Sequence, residues 1–141
     1  MEDWLAKALQ LFPELEDEIL ENGQSPMDLW IGLHFALVQA YEKRSSNDDL
    51  IGRIYDYAAW CFRQPEAEHA ETDVLTAVAV CLIEHIPTDK KVADDLHRWM
   101  STESFLGFGS LFRYFLSNEE FRTFCDGFIR KKKTYSGPSR I

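Results

Sequence analysis

Between Thr72 and Pro87 stand Val74, Leu75, Ala77, Val78, Ala79, Val80, Cys81, Leu82, Ile83 and Ile86, an apolar segment broken only by Thr76, Glu84 and His85. A run of about fourteen residues is long for a buried strand and short of the roughly 20 that cross a bilayer. It predicts a helix apolar around most of its circumference, and such a helix belongs at the centre of a domain. The rest of the chain must therefore supply elements that cover it. With 141 residues, 45% hydrophobic and 13% aromatic, the chain can build one core but has little room for a second. That apolar content excludes a disordered chain, and three cysteines do not make a disulfide scaffold.

The covering elements also read as helices. Trp4, Leu5, Ala8, Leu9 and Phe12 recur at three and four residues. Pro13 interrupts them and opens a second, very acidic segment with Leu15, Ile19 and Leu20 inward, stopped by Asn22-Gly23. Ser25-Pro26-Met27-Asp28 is a start signal: a cap, a proline where no N–H is needed, and an acid at the positive helix end. The helix it starts runs to about Arg44 with Leu29, Trp30, Leu33, Leu37, Ala40 and Tyr41 inward, and Phe35 and Val38 widen that face. A polar loop, Ser45-Ser46-Asn47-Asp48-Asp49, leads to a helix reaching about Gln64, with Leu50, Ile51, Ile54, Ala58, Cys61 and Phe62 inward and Pro65 after it. Beyond the central segment, Thr88 is the expected cap of a helix carrying Val92, Leu96, Trp99 and Met100. Phe108, Leu111, Phe112, Phe115 and Leu116 continue the spacing after a connection over residues 101–107. Ser117-Asn118-Glu119-Glu120 matches a capping box ahead of Phe121, Phe124, Cys125 and Phe128.

The expectation is an all-α domain of seven or eight helices over residues 1–134, including an acidic helical segment over 1–23, with 135–141 a disordered tail. The middle helices pair consecutively, so a short α-solenoid of the ARM/HEAT kind comes first and an irregular helical bundle second.

Charge is distributed unevenly. Residues 1–28 carry eight acids and one lysine, whereas Arg130, Lys131, Lys132, Lys133 and Arg140 place five cations in the last dozen residues. Without them the net charge of −9 becomes about −14. Such a body repels phosphate backbones, which disfavours nucleic acid, and favours a basic protein partner, because complementary charge accelerates encounter. A surface kept acidic for solubility is the alternative. No membrane span is expected, and Met1-Glu2-Asp3-Trp4 is acidic where a secretory signal would be basic, so the expected compartment is the cytoplasm.

Chemical motifs are sparse. His34, His69, His85 and His97 lack the spacing of a zinc helix, and Asp48-Asp49 and Asp94-Asp95 lack the glycine and terminal glutamate of a calcium loop, so neither metal nor other cofactor is expected. Cys81 and His85 stand four apart, as a thiol and its base could, yet on the most apolar sector; an inert thiol and a core histidine are the expectation. Asp73 and Glu84 lie on one side of the central helix and Asp56 on the outside of the preceding one. They could orient a ligand, or simply cap helices and pair with Arg53, Arg63, Arg98 or Arg113. Leu106-Gly107-Phe108-Gly109 has no lysine and serine or threonine behind it to make a phosphate loop. The remaining constellation is a stripe: Arg53, Tyr57, Trp60 and Gln64 recur along one helix, and such residues dominate interfaces. Spacing leaves open whether Tyr57 and Trp60 are surface or core. Arg53, Asp56, Tyr57, Trp60 and Glu84 are the candidate binding residues, and no catalytic residue is assigned.

The stretch Ile54 to Cys61, together with Thr72-Asp73-Val74, Ala77-Val78-Ala79-Val80, Glu84-His85-Ile86-Pro87 and Phe121-Arg122-Thr123-Phe124, resembles a small bacterial domain family of unassigned function with an ARM/HEAT-like all-helical fold. The resemblance covers about residues 50–128 and leaves 1–28 outside. It brings no catalytic motif. Short acidic bacterial domains of this kind also resemble immunity proteins, which neutralise a toxin by covering its active site. The functional expectation is thus a non-enzymatic protein-binding domain, possible as an immunity or antitoxin-like inhibitor of a basic partner. A homo-oligomeric adaptor, possible as a homodimer, is the alternative, and a small enzyme built on Asp56, Glu84 and His85 the second.

Overall fold

Ser25 accepts the Asp28 amide at 3.2 Å and Pro26 takes the first helical position, and the longest apolar stripe of the chain starts there as α3 (Pro26–Glu42). The computed structural model describes residues 1–43 and 47–141. Arg44, expected to end this helix, and Ser45-Ser46 of the following loop lie outside the described residues. Before α3 come α1 (Asp3–Leu11), a 3₁₀ turn over Pro13–Leu15 and α2 (Glu16–Asn22). After it come α4 (Asp48–Phe62), capped by Asn47, and α5 (Val74–Cys81), capped by Asp73 through the Thr76 amide and hydroxyl. The chain continues as α6 (Lys90–Asp95), α7 (Thr102–Gly107), α8 (Gly109–Phe112) and α9 (Asn118–Thr134). All regular structure among the described residues is helical, and none of these helices is long and apolar enough to cross a membrane.

The hub is α3. It packs on α2, α4, α5 and α6, burying Leu29, Trp30, Leu33, Leu37 and Tyr41, while α1 lies on α4 and α9 on α6. Helices that meet several non-sequential partners make an irregular bundle rather than a solenoid, whose repeats touch only their neighbours. The central apolar segment is buried as expected but is not one helix. α5 ends at Cys81, and Ile83–Thr88 winds as 3₁₀. Pro87 explains the change, because it has no N–H for the carbonyl of Ile83 and disfavours α geometry at Ile86. The cap of α6 is Asp89, which accepts the Val92 amide at 3.0 Å, and not Thr88, whose hydroxyl donates to the His85 carbonyl.

Three further expectations change. The connection over 101–107 is itself helical, as α7, and the stripe from Phe108 to Leu116 is helical only over Gly109–Phe112, as α8, which leaves Phe115 half exposed. Leu20 and Phe35, both placed inward from the sequence, are 49% and 62% exposed. The tail over 135–141 is not free: the Arg140 amide donates to the Trp99 carbonyl at 2.8 Å, the Ser101 amide donates to the Ile141 carbonyl at 2.7 Å, and the Arg140 guanidinium holds Asp56 at 2.7 Å. Gly52 makes room for this return, since a Cβ there would stand 3.2 Å from the Trp99 ring and 3.3 Å from the Arg140 guanidinium. Lys132 donates to the carbonyls of His97 and Met100 and to Ser139, so cations that read as a solvated end serve as an internal clasp. Truncation after Tyr135 should lower stability by about 3 kcal/mol, given roughly 1 kcal/mol for each backbone hydrogen bond lost between 140–141 and Trp99 or Ser101, and less for a rim-exposed ion pair. Urea denaturation reads the loss, and the Ser101 amide should exchange faster with solvent.

Candidate functional site

The stripe read from the sequence lies on α4, and the chain covers it with its own termini. Tyr57 is buried and its hydroxyl donates to the Trp4 carbonyl at 2.8 Å; Phe12 meets its ring edge-on at 5.9 Å, and Trp30 and Trp60 stack on it at 5.3 and 5.8 Å. Tyr57 is therefore core, and Trp60 is half-buried beside Trp4. Arg53 reaches Glu14 at 2.6 Å and Asp49 at 2.8 Å, and donates to the Leu11 carbonyl. Its guanidinium holds the Glu14 carboxyl below the ordinary value. Asp56 is tied to Arg140, and Glu84 is buried on the 3₁₀ turn. Arg53 and Tyr57 thus hold the N-terminal segment and Asp56 the tail, Glu84 stands apart on its 3₁₀ turn, and the five candidate residues do not converge on one site.

Nucleophilic chemistry fares no better at Cys81 and His85. With α5 ending at Cys81, their spacing no longer puts them on one helical face. Cys81 Sγ lies 3.8 Å from the Met27 carbonyl, and burial, followed by the charges of Glu84 and Asp28, pushes its thiol up. His85 is not the core histidine expected; it is half-buried, with its ring 5.3 Å from His34 and 4.9 Å from Phe115. Burial also pushes the Cys61 thiol up to about 12.

Asp95 anchors a polar cluster that sequence reasoning missed. It accepts from the Tyr41 hydroxyl, from Arg98 at 2.6 and 2.9 Å, and from the Trp99 indole N–H at 3.0 Å, while Arg98 also holds Asp48 at 3.0 Å. The signal was Arg98 and Trp99 three and four residues after Asp95 on the helical repeat. A carboxylate that accepts four hydrogen bonds in this way is a staple between α3, α4 and the end of α6. Burial alone would raise its pKa; the hydrogen bonds from Arg98, Tyr41 and Trp99, with the charge of Arg98, outweigh burial and hold it below the ordinary value. A depressed folded-state pKa means stability that is present above the ordinary carboxylate range and lost as pH falls through the folded value. Asp95→Asn should therefore be less stable at pH 7 and lose less on acidification than the parent, as read from urea midpoints at neutral and acid pH.

A continuous open surface lies elsewhere, along α2 and the outer side of α3. On α2, Glu16, Asp17, Glu18 and Glu21 are all exposed and make no ion pair among the described residues. Across from them α3 exposes Ile31 and Phe35, 58% and 62%, one helical turn apart. Between the helices run two adjoining cavities of about 200 and 330 Å³ that share Leu15, Glu18, Gly32 and Phe35. A Cβ built on Gly32 would meet nothing within 4 Å. On the far side of α3, the row of His34, His85 and Phe115 rings extends the face, Phe115 being 49% exposed. Sequence reasoning missed Ile31 and Phe35 because α3 is apolar on more than one side. Helical spacing at 100° per residue does separate them from the Leu29, Leu33 and Leu37 stripe, with Asp28 and Gln39 in their own sector. No family model, curated protein or solved structure matches the chain.

Proposed function

We propose that this chain is a non-enzymatic protein-binding domain that engages a basic partner through the acidic ridge of α2 and the exposed apolar face of α3. Its most concrete form is an immunity or antitoxin-like inhibitor that covers a functional surface of that partner. The observation that carries the reading is the coincidence of two features on one face: four acids that make no ion pair among the described residues, and large apolar side chains left in water beside them. Acids of one sign steer an oppositely charged partner, and apolar residues supply the desolvated centre that charge alone does not. Cys61, Cys81 and Cys125, all free thiols, suit the reducing cytoplasm as its compartment.

The same apolar face supports a second reading, self-association as an adaptor. Like charges on α2 oppose it, because a two-fold contact would set one acidic ridge near another. Sedimentation should return a monomer mass that does not change with concentration; a dimer mass would favour the adaptor.

Affinity capture from the host lysate at low and then moderate salt, with mass spectrometry of what stays bound, tests the main reading. A single basic protein retained stoichiometrically and released progressively as salt rises is the expected result. Retention of an acidic protein, or binding indifferent to salt, would overturn it.

A further inference from the structure

We infer that the groove between α2 and α3 receives an amphipathic α-helix of the basic partner, with apolar side chains seated over Gly32 and Lys or Arg side chains against Glu18 and Asp28. This inference rests on the protein-binding reading and names what that partner presents.

The groove has the dimensions and chemistry of a helix seat. Its floor is apolar, with Leu15, Ile19, Leu29 and Leu33 along it, and Phe35 lines both of its cavities. From Asp28 to Gln39 the α3 wall rises roughly 17 Å at 1.5 Å per residue, about three turns of an occupant lying alongside. The missing side chain at Gly32 leaves open space midway along that wall. Both walls are helices, whose backbone groups are already bonded within themselves. An extended peptide would find no ladder partners there and its buried N–H and C=O groups would stay unpaired, whereas a helix satisfies its own. Anchors at i, i+3, i+4 and i+7 on the occupant would fall along the apolar floor.

Charge selects the occupant. Glu18 and Asp28 line the groove, whose one lining cation among the described residues, Lys43, stands at its far end after α3, and Glu16, Asp17 and Glu21 stand on the same short helix as Glu18. A second copy of this chain, at net charge −9, would bring like charge to that rim. A basic helix would bring the opposite sign.

The test uses the intact chain and a synthetic probe peptide of about 15 residues, with Leu at helical spacing and Lys on the other face, beside a scrambled peptide of identical composition. Fluorescence anisotropy at low ionic strength should show the amphipathic peptide binding at least about tenfold more tightly than the scrambled one. In ¹⁵N spectra the Gly32 and Gly23 amides should shift more than those of Gly107 and Gly127, far along the chain. Gly32→Gln should weaken binding by about tenfold or more without lowering the thermal midpoint, because a helical glycine gives way to a better helix former and its new side chain meets no neighbour. Phe35→Ser, at a position already mostly in water, should weaken binding independently.

Equal binding of both peptides, no binding of either, or a Gly32→Gln variant that binds as the parent does would overturn the groove. That failure is distinguishable from failure of the protein-binding reading: a partner captured from lysate that depends on the α2 acids but ignores Gly32→Gln would refute the groove and leave the reading standing.

Discussion

Replacing Trp30 by alanine should cost roughly 3–5 kcal/mol, the range for deleting a fully buried large aromatic side chain. Trp30 is inaccessible to solvent and stacks on Tyr57 at 5.3 Å with the rings inclined by 24°. Tyr57 in turn meets Phe12 and Trp60 and donates to the Trp4 carbonyl. The rings thus form a column from α3 through α4 to the N-terminal segment, and a cavity at Trp30 loosens all three. The cost extends past stability, because α1, one of the two helices on which α2 packs, belongs to that column. Tyr57→Phe keeps the ring but removes the hydroxyl's hydrogen bond to the Trp4 carbonyl, and should cost about 1 kcal/mol. Urea denaturation of both variants gives the ratio; a Trp30→Ala cost below about 1 kcal/mol would mean that the column is not what fixes the N-terminal segment.

The second large effect is kinetic. Changing Glu16→Gln, Asp17→Asn, Glu18→Gln and Glu21→Gln together should slow association with the captured partner by at least about tenfold at low ionic strength, and the gap should close as salt rises. Dissociation should change less, since Glu16, Asp17 and Glu21 stand outside the groove and only Glu18 lines it. The competing role of the same residues is local. Glu16, Asp17 and Glu18 occupy the first turn of α2, where acids favour the positive helix end by about 0.3–1 kcal/mol each, while Glu21 sits near the opposite end where an acid is unfavourable. Neutralisation also relieves repulsion among the four, so net stability should move little. An unchanged association rate would reduce the ridge to a solvated, helix-starting segment.

The helical class, the starts of α3 and α9, and most of the core could be read in the sequence because they depend on local chemistry. Ser25-Pro26 and the Ser117 and Glu120 box act within one turn, and the 3.6-residue spacing of Leu29, Leu33 and Leu37 is a property of one segment. What could not be read is which faces a distant segment covers. Arg53, Tyr57 and Trp60 form a stripe on α4 whether or not α1 lies on it. Only folding brings Glu14 and the Trp4 carbonyl to them across some forty to fifty residues. The tail escaped notice for a related reason: it docks through its backbone and through carbonyl acceptors on other elements, which leave no apolar pattern. Phe35 and Leu20 were misplaced because an apolar residue reads as buried until its sector is compared with that of its neighbours. The break at Cys81 was legible in Pro87 and was outweighed by the continuity of the apolar run.

The most direct test of the partner-binding face is hydrogen–deuterium exchange of this chain with and without the captured partner. Slowed exchange is expected over residues 15–39, covering α2 and α3 along the groove, with α4 beyond Leu50 and the docked tail unchanged. Protection confined to residues 1–4 and 57–65, where Trp4 and Trp60 meet, or to α9, would contradict it and move the binding face elsewhere.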